Sequence, residues 1–80
     1  MDSFPEYLMK MYLVQFKIRR MDERGRWNTV FNRYSESNGH IRLVKAASMD
    51  NAIDKVKCFY GVFTDSTIEI FDIEVSEMIE

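Results

Sequence analysis

The chain holds one histidine, His40, and one cysteine, Cys58. Nucleophilic and metal sites need several such residues at defined spacings, and no such spacing is present. No serine lies in a nucleophile elbow, and three glycines leave little from which to build a phosphate-binding loop. We therefore expect no enzymatic activity, no metal and no cofactor. We expect His40 in an exposed loop and Cys58 as a small core or boundary residue.

A basic cluster surrounds one aromatic residue in the first third of the chain. On a strand, Lys17 and Arg19 would face away from Phe16 and Ile18. Arginines that follow phosphates, beside an aromatic ring that stacks on a base, form a surface for single-stranded nucleic acid. The other interpretation is a solvated hairpin neutralised by nearby acids, and no ribonucleoprotein motif is present. The cluster consists of Lys17, Arg19, Arg20, Arg24, Arg26 and Trp27.

An acidic group lies near the end of the chain. Asp72 and Glu74 are two residues apart, so on a regular strand their side chains would point the same way, about 6.6 Å apart. This separation is close to the phosphate spacing along a nucleic-acid strand, and such an edge could occupy a basic groove on a partner. The alternative is a solvated strand face that resists aggregation. The group contains Glu69, Asp72, Glu74, Glu77 and Glu80.

The two groups reflect a division of charge along the whole chain. Residues 1–47 carry nine Lys and Arg against five acids, a net charge of +4, and residues 48–80 carry two against eight, a net charge of −6. Such a division can steer a charged partner. Equally, the two halves could neutralise each other across the folded domain.

Strict alternation over 12–18 predicts a strand with one buried side, around which the chain is organised. Gly25 closes a charged hairpin loop, and the turn at 35–39 ends in Asn-Gly, which accepts left-handed conformations. Apolar residues recur at helical spacing between an N-cap, Ser48, and a C′ residue, Gly61. The predicted elements are strands over 10–20, 26–34, 40–47 and 67–76, and a helix over 49–60.

These elements predict an α+β domain of order β-β-β-α-β, with a four-stranded mixed sheet and one helix packed on one face. A right-handed crossover would make the last strand parallel to the first and third. We expect the order 4-1-2-3, with 1-2-3-4 left open. The last strand changes phase near Ile70, as at a β-bulge. One face would hold Ile68 and Ile70, and the other Phe71, Ile73 and Val75.

Eighty residues predict a single domain, with a short turn or frayed end over 1–9, a core over 10–76 and an acidic tail over 77–80. The lone cysteine favours a reducing compartment. We expect neither a membrane-spanning segment nor a signal peptide, and hence a cytoplasmic protein.

In size and texture the chain resembles the small accessory proteins of bacteriophages, including anti-defence inhibitors such as anti-CRISPR proteins. The shared features are a hairpin beginning MYLVQFKIRR, a capped helix SMDNAIDKVKCFYG and a closing strand TIEIFDIEV. The resemblance implies a phage-type inhibitor or modulator of a larger bacterial protein. It assigns no residue a role, because fold does not fix function.

Two hypotheses of function follow. The first is a non-enzymatic binding protein that contacts a larger protein target, and the alternative is a binder of single-stranded nucleic acid through the basic cluster. A homodimer is a further expectation, because a small core gains stability when an apolar sheet face is covered. A different protein or the N-terminal segment could cover that face instead. The residues expected on that apolar sheet face are Leu13, Val30, Tyr34 and either Ile70 or Phe71.

Overall fold

The computed structural model describes residues 9–78 and confirms the α+β class and the order β-β-β-α-β. The predicted turn or frayed end, apart from Met9, lies outside the described residues, as does the end of the predicted tail. The elements are β1 (Lys10–Met21), β2 (Trp27–Thr29), β3 (Gly39–Ala46), α1 (Met49–Phe59) and β4 (Ile68–Glu77).

β1 is the central strand, and β4 lies beside it as predicted. β4 pairs with β1 over residues 12–20, while β3 pairs with residues 10–17 and β2 with residues 19–21. Because a strand has two edges, β2 and β3 share the edge of β1 opposite β4. The expectation that β3 pairs with β2 is therefore wrong.

All three pairings are antiparallel, so the predicted mixed sheet with a last strand parallel to the first is also wrong. Residues 31–38 leave the edge of β1 as a side loop, closed by a bridge between Asn32 and Ser37, and the chain then returns to that edge. β3 therefore continues in the direction of β2. The helical crossover joins β3 to a parallel β4, and both run against β1.

The core lies between the sheet and α1, and it confirms the alternation predicted for β1. Four alternate side chains of β1 are at most 5% exposed, and Ala52 and Val56 of α1 pack over them. Phe16 contacts the rings of His40 and Tyr60 at centroid distances of 5.7 and 5.6 Å. The buried core residues are Tyr12, Val14, Phe16, Ile18, Ala46, Ala52, Val56 and Ile70.

Both predicted ends of the helix are confirmed. Ser48 Oγ accepts a hydrogen bond from the Asn51 N–H at 3.1 Å. At the other end Gly61 has φ +75°, its N–H donates to the Cys58 carbonyl, and the Val62 N–H donates to the Lys57 carbonyl. These two bonds form a Schellman motif.

The turns differ in one respect from the prediction. Gly25 has φ +77°, as a tight hairpin requires. In the side loop, however, Glu36 takes the left-handed conformation, with φ +51°, instead of the Asn-Gly pair. Asn32 fixes this loop, because its side chain donates to the Gly39 carbonyl and accepts from the Tyr34 N–H.

The predicted bulge in β4 is present, but it lies at Asp72. One extra residue separates the Gln15–Glu74 pair from the Lys17–Phe71 pair, and Asp72 has φ +50°. Ile73 and Val75 therefore return to the core side, contrary to the expected division of faces. β4 extends to Glu77, which forms an ion pair with Lys10 at 2.9 Å, so this residue is part of the sheet and not of a tail.

Candidate binding surface

The sheet face opposite α1, here called the open face, carries the outward side chains of all four strands. Directly paired residues of antiparallel strands share a face, so Leu13 lies beside Leu43, and Gln15 lies between Ile41 and Glu74. Ile41 and Leu43 are 58% and 59% exposed. Two large apolar side chains thus stand next to each other in solvent on an ordered strand.

One end of the open face is built around Arg19. Its guanidinium lies over the rings of Trp27, at 4.8 Å, and Phe71, at 5.7 Å, and its Nη2 donates to Glu69 Oε1 at 2.7 Å. We call these four residues the arginine stack. Cation–π contact and a charge-assisted hydrogen bond hold the side chain across three strands. Arg19 Nε is buried and has no hydrogen-bond partner among the described residues.

The arginine stack changes the interpretation of the basic cluster. Arg19 was expected to contact phosphate and Trp27 to stack on a base, yet each is engaged with the other. Lys17 also lies on the open face, paired with Asp72 at 3.3 Å. The exposed Arg20 points to the other side of the sheet, because positions alternate along β1. The structure therefore divides the cluster between two faces and a loop.

The acidic group is divided as well. Glu69 belongs to the arginine stack, whereas Asp72 lies in the bulge and Glu74 is exposed on the open face. The expected separation of about 6.6 Å between Asp72 and Glu74 assumed a regular strand. Asp72 has the left-handed conformation and breaks that two-residue repeat. The expected match between the Asp72–Glu74 separation and the phosphate spacing therefore no longer follows.

The hairpin loop that contains Arg24 and Arg26 is organised by Asp22. Its Oδ1 accepts the backbone N–H groups of Arg24 and Arg26 at 2.8 and 2.9 Å, and its Oδ2 accepts from Asn28. These hydrogen bonds, the one from Arg26 above all, lower the pKa of the Asp22 carboxyl below its ordinary 3.8.

A lowered pKa predicts that the hairpin weakens in acid. The stabilisation is present above the pKa of the unfolded chain and is lost as the pH falls through the lower, folded pKa. An NMR titration of the Asp22 carboxyl should therefore show a midpoint below 3.8. The variant D22N should lack the accompanying acid-induced shifts of the Arg24 and Arg26 amides. A midpoint at or above 3.8 would contradict this description of the loop.

His40 and Cys58 are not where they were expected. His40 lies half-buried in β3, stacked on Phe16, with Nε2 3.3 Å from the Val30 carbonyl. Since a carbonyl only accepts, Nε2 carries the hydrogen. Cys58 is exposed, because it lies two residues beyond the buried Val56, on the opposite side of α1.

Of the apolar residues expected on the open face, Leu13 and Phe71 lie there, whereas Ile70 is buried. Val30 packs against the core instead, and Tyr34 is fully exposed in the side loop. Ile41 and Leu43, which are more than half exposed on the open face, were not among the expected residues. Their alternation with Val44 was visible in the sequence, but their exposure depends on β3 lying at an edge.

Among the described residues, concave regions adjoin β3 on two sides. An open cleft of about 600 Å³ includes Lys17, His40, Asp72 and Glu74 in its lining, and the cationic group is already paired with Asp72. A smaller groove of about 260 Å³ runs between β3 and α1. The groove is lined by Arg42, Leu43, Val44, Lys45, Lys55, Val56 and Phe59.

Within residues 9–78, no three His, Cys, Asp or Glu side chains come together as a group that could hold a metal ion. The single helix in this range, 11 residues long, is too short to cross a membrane. Comparison with protein-family models, with curated proteins and with solved structures finds no match for the chain.

Proposed function

We propose that this protein is a non-enzymatic binding protein that modulates or inhibits a larger protein by contact through its open face. The observation that supports this proposal most strongly is the pair Ile41 and Leu43, which expose more than half of their surface on β3. Contiguous apolar surface of this kind marks interaction sites. The resemblance to phage accessory proteins suggests that the target is bacterial.

The arginine stack supports the same surface. Trp and Arg are the side chains most enriched among residues that dominate binding energies, and here they are held in place before any partner arrives. Preorganised side chains lose little conformational freedom on binding. An apolar strand pair next to a fixed aromatic and cationic group therefore suits recognition of a protein surface.

The test is capture of proteins from a bacterial lysate by the tagged chain and by two double variants. I41E/L43E places charge on the open face, whereas M49E/F63E changes two similarly exposed apolar residues outside the sheet. We expect a specific protein to bind the parent chain and M49E/F63E, and to be lost at least about tenfold with I41E/L43E. Equal retention by both variants would contradict the proposal.

Nucleic-acid binding is the alternative, and the exposure of Arg20, Arg24 and Arg26 favours it. Binding to labelled single-stranded RNA or DNA should then weaken steeply with salt, because each phosphate contact releases counterions. The variant R24E/R26E should lose it while I41E/L43E keeps it. If the parent chain gives no shift at low salt, this alternative is removed.

A second copy of the chain is another occupant of the open face. Light scattering at tens of micromolar separates the two cases, because a monomer has a mass of 9.6 kDa. A mass of 9.6 kDa leaves the face to a different protein, whereas twice that value in the parent chain, reduced in I41E/L43E, would assign it to a homodimer.

A further inference from the structure

β3 has one edge that faces away from β1, and its backbone direction can be followed residue by residue. In an antiparallel ladder the N–H and C=O of one residue point to the same side, and successive residues alternate. The Val30 N–H donates to the Ile18 carbonyl. The backbone N–H and C=O groups of the even-numbered residues of β1 therefore point to the edge shared by β2 and β3. Their even-numbered partners in β3 face β1. The backbone N–H and C=O groups of the odd-numbered residues of β3 therefore point outward, away from β1.

Both ends of this outer edge are already hydrogen-bonded to side chains. Gly39 donates its N–H to Ser37 Oγ at 3.1 Å and accepts from Asn32 Nδ2 at 2.9 Å. At the far end the Lys45 carbonyl accepts from Lys55 Nζ at 2.7 Å. Between them, the outward N–H and C=O groups of Ile41 and Leu43 have no such partner among the described residues. Unpaired strand groups of this kind are a template for another strand.

The groove between β3 and α1 supplies the chemistry beside this edge. Its rim carries Arg42, Lys45 and Lys55, and none of the described residues that line it is acidic. The Arg42 guanidinium lies 4.0 Å from the centre of the Phe59 ring, so its charge is held at the groove. β4, at the other edge of the sheet, differs: it carries acidic residues and a bulge, both of which discourage pairing.

We propose that the outer edge of β3 accepts an extended acidic segment of a partner protein by strand addition. This proposal rests on the proposed function and specifies how the partner is contacted. Main-chain hydrogen bonds would form with Ile41 and Leu43. Alternate side chains of the added strand would be apolar on the open face, beside Ile41 and Leu43. The others would be carboxylates above Arg42 and Lys55.

Charge distinguishes this occupant from a second copy. An antiparallel twofold pairing that places Ile41 opposite Leu43 of the second copy also places Arg42 opposite Arg42 of the second copy. Like charges directly opposite are destabilising. The basic grooves of the two copies would then lie close together, whereas an acidic strand would neutralise the charge of a single groove.

The test uses the full chain labelled with ¹⁵N and two eight-residue blocked peptides, one alternating Glu with Val and the other Lys with Val. We expect the glutamate peptide to shift the amides of Ile41 and Leu43, to slow their hydrogen exchange, and to bind at least about tenfold more tightly than the lysine peptide. K55E should weaken the glutamate peptide about tenfold and R33E, an equal charge change in the exposed side loop, much less.

Several outcomes would overturn the inference. These are equal binding of both peptides, no binding of either at millimolar concentration, or shifts confined to the hairpin. Slow exchange of both amides in the free monomer would mean that the chain itself already pairs with this edge. A mass of twice 9.6 kDa that falls in L43E would assign the edge to a second copy. If neither peptide binds while I41E/L43E still loses the lysate protein, strand addition fails and the proposed function stands.

Discussion

Replacing Phe16 by alanine should lower the free energy of unfolding by about 3–5 kcal/mol. Phe16 is 2% exposed at the middle of the central strand, and its ring contacts those of His40 and Tyr60. A domain this small has a stability near the lower end of about 5–15 kcal/mol. The variant should therefore be largely unfolded, or close to it, at 25 °C.

Urea unfolding followed by circular dichroism measures this loss, with F63A as the matched control. Phe63 is 63% exposed in the loop after α1, so its replacement should change the unfolding free energy by no more than about 0.5 kcal/mol. Similar effects of F16A and F63A would mean that the core does not lie between the sheet and α1.

The second large effect concerns the bulge, and it distinguishes two deletions in the same strand. Removing Asp72 leaves one residue between Phe71 and Glu74. Their partners Lys17 and Gln15 are also separated by one residue, so the shortened strand can pair as a regular ladder. Every other side chain of β4 keeps its face. The deletion also removes a non-glycine residue from φ +50° and an exposed ion pair that contributes little. We expect a change in unfolding free energy within about 1 kcal/mol.

Removing Glu74 should cost more. If the bulge remains, Val75 moves to the open face; if the bulge straightens, Ile73 does. Either result exposes one side chain that now packs against the core, at a cost of about 1.5–3 kcal/mol. Urea unfolding of the two deletion variants gives the comparison. An equal loss in both would mean that the bulge itself stabilises the sheet.

The central strand and the helix could be predicted from the sequence because their signals are local. The alternation of Tyr12 to Ile18 specifies a buried side without reference to any partner, and Ser48 and Gly61 mark the helix ends by side-chain and backbone geometry alone. The turn at Gly25 is of the same kind. In each case the residue type favours the conformation that the structure shows.

Pairing could not be predicted in the same way. The side loop after Thr29 looked like the end of a long second strand, because Val30 and Phe31 have high strand propensity. Its real effect is to return the chain to the same edge of β1, which reverses the expected direction of β4 relative to β1. A hydrogen bond from the Asn32 side chain to the Gly39 carbonyl holds that loop closed, and no periodicity encodes it.

The candidate surface was predicted only in part for the same reason. The basic and aromatic pattern placed Arg19 and Trp27 in one cluster, but it could not show that Glu69 and Phe71 would meet them from the far strand. Likewise, Ile41 and Leu43 are a surface only because β3 is an edge and α1 covers the other face. Exposure of this kind is a property of the sheet order.

Hydrogen–deuterium exchange of the full chain, alone and with the protein that it captures from a bacterial lysate, tests most directly whether the open face is the binding surface. We predict that complex formation slows exchange in β3, above all at the amides of Ile41 and Leu43, and leaves the hairpin at 22–26 and the exposed side of α1 unchanged. Slower exchange confined to the hairpin or to α1, with β3 unaffected, would contradict the assignment.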